Sequence, residues 1–334
     1  MGVRADSPTV RPLRRADLAD LTALRRRFHA ERVPRGAHGP ESEAERTRIA
    51  TTTQALWENE ATVVFVVEGA SATRRTDGRR PLVGYALGRH AVWPPIWRTQ
   101  RVGEVIETFV APFEGAPEHL VRLLGAVAAE LSRRDVEVLR ARVACDDLET
   151  RTRFEALGFT PLLRTFVRAS SPSGPGETSI LIRPARAADV PSLVLLSLSM
   201  LAENGRHEPR LAPHPDAAAS LATRHLEEVC DPRHVVLVAE EKPGLLVGLA
   251  AGQLGRGDGL RRPARDATIT ACFVVPPRRR RGLARRLADR VAEALFVRGA
   301  DELRLHVVAK NAGSLAFWSS LGYEPVEELL DRPA

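Results

Sequence analysis

From Ala267 to Val275 the chain reads Ala-Thr-Ile-Thr-Ala-Cys-Phe-Val-Val, apolar or β-branched throughout and stopped by Pro276-Pro277, the pattern of a buried strand. Beyond a run of arginines, Leu283, Leu287, Val291 and Leu295 return every four residues with Ala284, Ala288 and Ala292 beside them, which predicts a helix with one apolar face. Leu303, Leu305 and Val307 then alternate with polar residues over Glu302 to Val308, a second strand. A helix joining two strands in this way predicts a right-handed crossover and a parallel pair. Strands joined by short loops elsewhere predict antiparallel neighbours, so the sheet is mixed.

The same pattern is written twice. Val10-Arg11-Pro12 to Leu21 lies over Ile182-Arg183-Pro184 to Leu193 at a shift of 172, and Val63–Glu68 lies over Val235–Glu240 at the same shift. The loop from Gly69 to Pro81 is eight residues longer than its counterpart, so the shift falls to 164 for Leu82-Val83-Gly84 over Leu246-Val247-Gly248 and for Leu157-Gly158-Phe159 over Leu321-Gly322-Tyr323. Each copy reads strand, helical region, three strands, helix, strand, helix, strand. The Ser/Pro/Gly-rich stretch within 170–177 reads as a linker, giving halves at 1–169 and 178–334. After Gly322 twelve residues remain, enough for one strand near Glu324 to Leu330, so the second half is expected to be open there or closed by the first.

The joint between strand and helix carries chemistry. A helix start presents N–H groups without intrahelical acceptors and the positive end of the macrodipole, and Arg279, Arg280 and Arg281 add guanidinium forks that match phosphate oxygens. Gly282 and Ala284 keep the surface at the helix start small, so a diphosphate fits. At a shift of 164 the first copy has Gly115-Ala116-Pro117-Glu118 instead, with an acid where Gly282 stands. That half is expected to reject an anion and to serve as scaffold, lid or regulator.

With 334 residues and 44 % apolar content, the chain can build about two cores. The net charge of +7 suits an anionic ligand; at 5 % aromatic content, with scattered basic residues, nucleic acid is disfavoured. No apolar run is long enough for a membrane span and no secretory leader pattern opens the chain, so a cytoplasmic location is expected. Cys145, Cys230 and Cys272 have neither disulfide-framework nor zinc spacing and read as reduced core thiols, with no metal expected.

Val274, Pro276, Arg279, Gly282 and Ala284, followed by Asn311, Ser314, Phe317, Trp318, Gly322 and Tyr323, resemble in order and spacing the two motifs of the GCN5-related N-acetyltransferases (GNAT family). The resemblance covers Thr178 to Leu330 well and Thr9 to Arg168 as a weakened copy, and the pairing of one intact with one degenerate module is similar to the layout of mycothiol synthase. It implies an α/β fold of the α+β type: two tandem acyl-CoA N-acyltransferase folds, each a mixed central sheet flanked by helices. It further implies acetyl-CoA as co-substrate and a primary amine, on a small molecule or peptide, as acceptor. Carried over, Cys272, Phe273 and Val274 offer main-chain groups to the pantetheine arm, Arg279 to Ala284 hold the diphosphate, and Asn311, Ser314 and Phe317 line the other wall.

Acetyl transfer needs a neutral amine, a stabilised oxyanion and release of the thiolate. The family's frequent strand carboxylate is replaced here by Thr270 and Ala271, and its tyrosine acid by Trp318, whose indole N–H is no acid. His306, on the strand before Asn311, becomes the candidate base, since an imidazole titrating near about 6.5 accepts protons at neutral pH. Glu203, His207 and Glu208, read as a Pro-rich loop between the first two helices of the second copy, are further polar candidates. The missing acid and carboxylate leave a CoA-binding sensor without transferase activity as the alternative.

Overall fold

The computed structural model describes residues 8–32, 43–70, 78–112, 115–170, 180–255 and 266–334; the predicted linker, beyond Ser170, lies outside them. The first half contains β1 (Thr9–Pro12), α1 (Leu18–Arg32), α2 (Glu43–Glu58), β2 (Thr62–Glu68), β3 (Leu82–Val92), β4 (Arg101–Val110), α3 (Ala116–Ser132), β5 (Val138–Ala144), α4 (Leu148–Ala156) and β6 (Thr160–Arg168). The second repeats the order with β7 (Leu181–Pro184), α5 (Val190–His207), α6 (Ala217–Cys230), β8 (His234–Lys242), β9 (Leu245–Leu254), β10 (Asp266–Val274), α7 (Leu283–Val297), β11 (Glu302–Val308), α8 (Ala312–Ser320) and β12 (Glu324–Pro333). The predicted crossover is present: β10 runs parallel to β11 from Asp266 opposite Glu302 to Ile269 opposite Leu305. Leu283, Leu287, Val291 and Leu295 of α7 are all buried against the sheet.

The two halves share one mixed sheet of twelve strands, in the order β1-β2-β3-β4-β5-β12-β6-β11-β10-β9-β8-β7. Their last strands are exchanged: β12 lies between β5 and β6, and β6 between β12 and β11. Each of β5 and β11 would otherwise expose a row of unpaired backbone groups, and the other half's terminal strand covers it. Leu330 of β12 is consequently buried in the first half's core with Leu123 and Phe154, and Phe166 of β6 in the second half's core with Ile269 and Leu305. A polar seam follows the exchange. Glu328 of β12 binds Arg164 of β6 and Arg151 of α4, and Arg210 binds both Glu208 and Asp331.

Comparing the helix entries of the two halves corrects the repeat register. Gly115 caps α3 with φ 84°, as Gly282 caps α7 with φ 73°. These caps differ by 167, not 164, because residues 111–114 in the first half, four, replace residues 275–281 in the second, seven. Gly282 therefore matches Gly115, and Glu118 lies inside the first turn of α3. The arginine run has no counterpart at all.

Candidate functional site

Beyond Ile269 and Leu305, β10 and β11 part. The register against β9 shifts between Ile269 and Ala271, and Ala271–Val274 continue to pair with β9 alone. The β11-facing edge of Cys272, Phe273 and Val274 is thereby left open, at the residues that the family resemblance implies for an extended ligand arm. A cavity of ≈ 890 Å³ occupies the gap. It is lined by these three residues, by Arg279, Arg280, Gly282, Leu283 and Ala284 from the turn, and by His306, Asn311, Ser314 and Phe317 from β11 and the α8 region. Of the expected residues, Arg281 stands outside the lining and is exposed; Arg285, which sequence reading passed over, is part of it.

The turn is shaped by backbone sign. Arg280 (φ 63°) and Gly282 (φ 73°) are both left-handed, in the kind of turn whose successive N–H groups form an anion-binding concavity. A Cβ on Gly282 would meet no atom within 4 Å, so glycine is needed there for its conformation rather than for clearance. The N–H groups of Leu283, Ala284 and Arg285 open α7 without intrahelical acceptors. Arg279 is engaged otherwise: its Nε donates to the Val274 carbonyl (2.8 Å) and its two Nη atoms to the Glu203 carboxylate (2.9 and 2.6 Å). It pins the turn to β10 and α5, and in return it holds the Glu203 carboxyl below its ordinary range. Exposed guanidinium charge at the turn comes from Arg280 and Arg281.

Burial pushes the Cys272 thiol up to about 12, so it stays protonated and inert, which suits a strand contributing main chain only. Cys230, by contrast, is exposed, against the expectation of three core thiols. Asn311 caps α8 by accepting from the Ser314 N–H (3.0 Å), as Asp147 does from Thr150 in the first half. Phe317 is half-buried, edge-on to Trp318, which in turn stacks edge-on to Tyr323. Trp318 is thus a packing residue where the family motif has an acid. His306 is exposed on β11, its Nδ1 3.1 Å from the Thr165 hydroxyl of the exchanged strand β6.

The acceptor side departs from the sequence reading. Glu203 and His207 are not in a loop: α5 runs through His207, with Gly205 allowing close approach to Ala212, whose Cβ would lie 2.8 Å from an added Cβ. Glu208 caps the following turn and binds Lys310 (3.0 Å). The first half lines the cavity at this end. The β3–β4 loop brings in Trp93, Ile96 and Trp97, hydrogen-bonded to the second half through Arg98 N–H to the Ala212 carbonyl and His214 N–H to the Ile96 carbonyl (both 2.9 Å). Ile96 packs with Leu201, Ala217 and Leu221. Trp-Pro-Pro-Ile-Trp is conspicuous in the sequence, but nothing local says which surface it meets. Ser197, Arg224, His225 and Glu228, also in the lining, were missed for the same reason. Among the described residues no group of three or more His, Cys, Asp or Glu side chains is placed to hold a metal, and no helix is long and apolar enough to cross a membrane.

Comparison with known proteins accords with this geometry. Residues 201–323 match the model of the acetyltransferase (GNAT) family. Over 119 residues the chain is 34 % identical to a mycothiol acetyltransferase of Beutenbergia cavernae, a match covering 34 % of this chain and 38 % of that protein. Among solved structures, a GCN5-related N-acetyltransferase from Sphaerobacter thermophilus aligns with a TM-score of 0.58 at 17 % identity, over 98 % of this chain and 95 % of that one. A tandem GNAT protein from the clavulanic acid biosynthesis pathway aligns with a TM-score of 0.53 at 15 % identity, over 98 % of each chain. The fold throughout is that of a tandem GNAT protein, and within it residues 201–323 of the second half carry the match to the GNAT acetyltransferase family.

Proposed function

We propose that the protein is a cytoplasmic N-acetyltransferase that moves the acetyl group of acetyl-CoA to a primary amine by direct attack, with catalysis in the second half. The observation that carries this reading is the continuity of one cavity from the open edge of Cys272–Val274 to the left-handed turn at Arg280–Gly282. An extended thioester arm fits the first and a diphosphate the second. Leu283 and Ala284 supply N–H groups, Arg279 holds the turn in place, Arg280 and Arg281 supply charge, and Asn311, Ser314 and Phe317 form the facing wall. His306 accepts a proton from the attacking nitrogen, and the thiolate leaves without a tyrosine acid because Trp318 offers none. The acceptor is a small-molecule or peptide amine, bounded on one side by the first half's tryptophans.

A screen of amines against acetyl-CoA, following free thiol, tests the reading. Thiol release that requires both an amine and the intact chain supports it; tight acetyl-CoA binding without release by any amine would instead make the protein a CoA sensor.

A further inference from the structure

The repeat offers a comparison within the molecule. At the shift of 172, Leu21, Leu24 and Ile49 of α1 and α2 are buried where Leu193, Leu196 and Leu221 of α5 and α6 are buried. On this frame Ser197 occupies the place of Arg25, and His225 that of Thr53. At the strand shift of 164, Ala271 occupies the place of Glu107. In the first half these positions close the space between helices and sheet. Arg25, 2 % exposed, donates through Nε and Nη2 to Glu107 (2.9 and 3.0 Å) and through Nη1 to Thr53 (2.8 Å), while the Tyr85 hydroxyl donates to Glu107 (3.1 Å). In the second half that plug is gone and Ser197 and His225 line the open cavity.

What replaces it is a hydrogen-bonded chain. The Ser197 hydroxyl lies 2.8 Å from His225 Nε2, His225 Nδ1 lies 3.0 Å from Glu228 Oε2, and Arg224 Nε donates to Glu228 Oε1 at 2.6 Å. Ser197, His225 and Glu228 are each buried in the cavity wall. Burial pushes the Glu228 carboxyl up, but His225 and Arg224 outweigh it and hold the group ionised. An ionised Glu228 only accepts, so His225 carries its proton on Nδ1 and offers Nε2 as an acceptor to the Ser197 O–H. The serine oxygen keeps its lone pairs for a donor arriving in the cavity. A buried polar chain costs stability unless every member is satisfied, and apolar residues would fill these positions at less cost.

Resting on the acetyl-transfer reading, we propose that Ser197, His225 and Glu228 are a proton relay that deprotonates the acceptor, which therefore arrives as a primary alkylammonium ion. Such an acceptor loses two protons from nitrogen. One leaves before attack: the Ser197 oxygen accepts it and passes its own proton to His225 Nε2, where Glu228 steadies the imidazolium. The other leaves once the C–N bond has formed and is taken by His306, from the β11 wall of the same cavity, as the C–S bond breaks. One proton ends on the CoA sulfur and one in solvent, so the reaction balances as ammonium plus thioester giving amide, thiol and a proton. Ser197 meets the substrate; His225 stores the proton, and Glu228 and Arg224 position it. The charged groups around the chain are few. Arg224 and Glu228 share α6 with His225, and Glu203 on α5 is tied to Arg279. Asp189, in the short turn packed against α6, is tied to Arg183. β8 presents only Val236 and Val238 to the core there.

The test compares Ser197→Ala and His225→Gln with wild type, using a primary alkylamine that wild type acetylates, from pH 6 to 10. At pH 7 both variants should lose at least tenfold in kcat/KM with unchanged acetyl-CoA affinity. The deficit should shrink by up to tenfold per pH unit and vanish as the amine's own pKa, about 10, is approached. Equal rates at pH 7, or a deficit constant across the range, would overturn the relay; a constant deficit would assign the chain to packing. Should His225→Gln fail to fold, Ser197→Ala, which removes one oxygen atom, decides alone. Wild type that binds acetyl-CoA yet acetylates no amine would overturn the acetyl-transfer reading itself, and the relay with it.

Discussion

Leu330→Ala should damage the half of the molecule to which it does not belong in sequence. Leu330 is fully buried on β12, paired with Ala141 of β5 and Pro161 of β6, and it packs with Leu123, Phe154 and Phe159 of the first half. Removing a buried leucine side chain costs about 2–5 kcal/mol, the transfer term plus the cavity left behind. Helix α3 and strand β5 hold the surrounding side chains, so little collapse is available and a loss of about 3 kcal/mol is expected. At roughly 2 °C per kcal/mol for a chain of this size, the melting temperature should fall by about 6 °C. Urea unfolding followed by tryptophan emission and far-UV circular dichroism checks this, with Leu195→Ala as control, since Leu195 is 66 % exposed. Trp57, Trp93 and Trp97 report on the first half and Trp318 on the second, and the exchanged strands predict that all lose structure in one transition. A loss below about 1 kcal/mol, or a variant in which the first half's signal is untouched, would refute the strand exchange.

Three further outcomes follow from the site. His306→Ala should lower turnover at least tenfold, a positioned base being worth about 10² to 10⁴ in rate, while acetyl-CoA affinity measured by calorimetry stays unchanged; an unchanged rate would pass the role to water. Trp97→Ala should raise the acceptor KM about tenfold and leave acetyl-CoA affinity alone, because Trp97 packs beside Ile96 over Leu201 and Leu221; an unchanged acceptor KM would remove the first half from the acceptor site. Burial pushes the Glu208 carboxyl up, but Arg210 and Lys310 outweigh it and hold it at about 2. Its folded value thus lies below its unfolded one, so its stabilisation is full above about pH 4.5 and is lost as the pH falls through about 2. Glu208→Gln should therefore cost about 3 kcal/mol at pH 7 and almost nothing at pH 2, read from urea unfolding at the two pH values.

Periodicity carried the repeated element order, the parallel crossover and the turn that opens α7, because each depends on neighbours close in sequence. It could not carry the strand exchange: β6 and β12 have the alternation of any terminal strand, and nothing in either says whose edge it covers. The boundary of α5 was obscured by Gly205 and Pro209, both helix breakers by local rule. Gly205 is inside the helix because Ala212 packs too closely for a side chain, a tertiary demand. The register between helix caps was misplaced by three residues, since apolar landmarks align strands while φ fixes the cap. Ser197 and His225 are twenty-eight residues apart on different helices, and only the folded repeat sets them against their counterparts Arg25 and Thr53, which help to fill the same space in the first half.

Calorimetric titration of the intact chain with acetyl-CoA, alongside Gly282→Glu, tests the central claim most directly. A side chain at φ 73° costs about 1–2 kcal/mol, and a carboxylate about 5 Å from a diphosphate adds about 3 kcal/mol of repulsion. One equivalent bound per wild-type chain, weakened roughly 100-fold or more by the substitution, is the predicted result. No binding, two equivalents per chain, or a variant that binds as wild type does would contradict it.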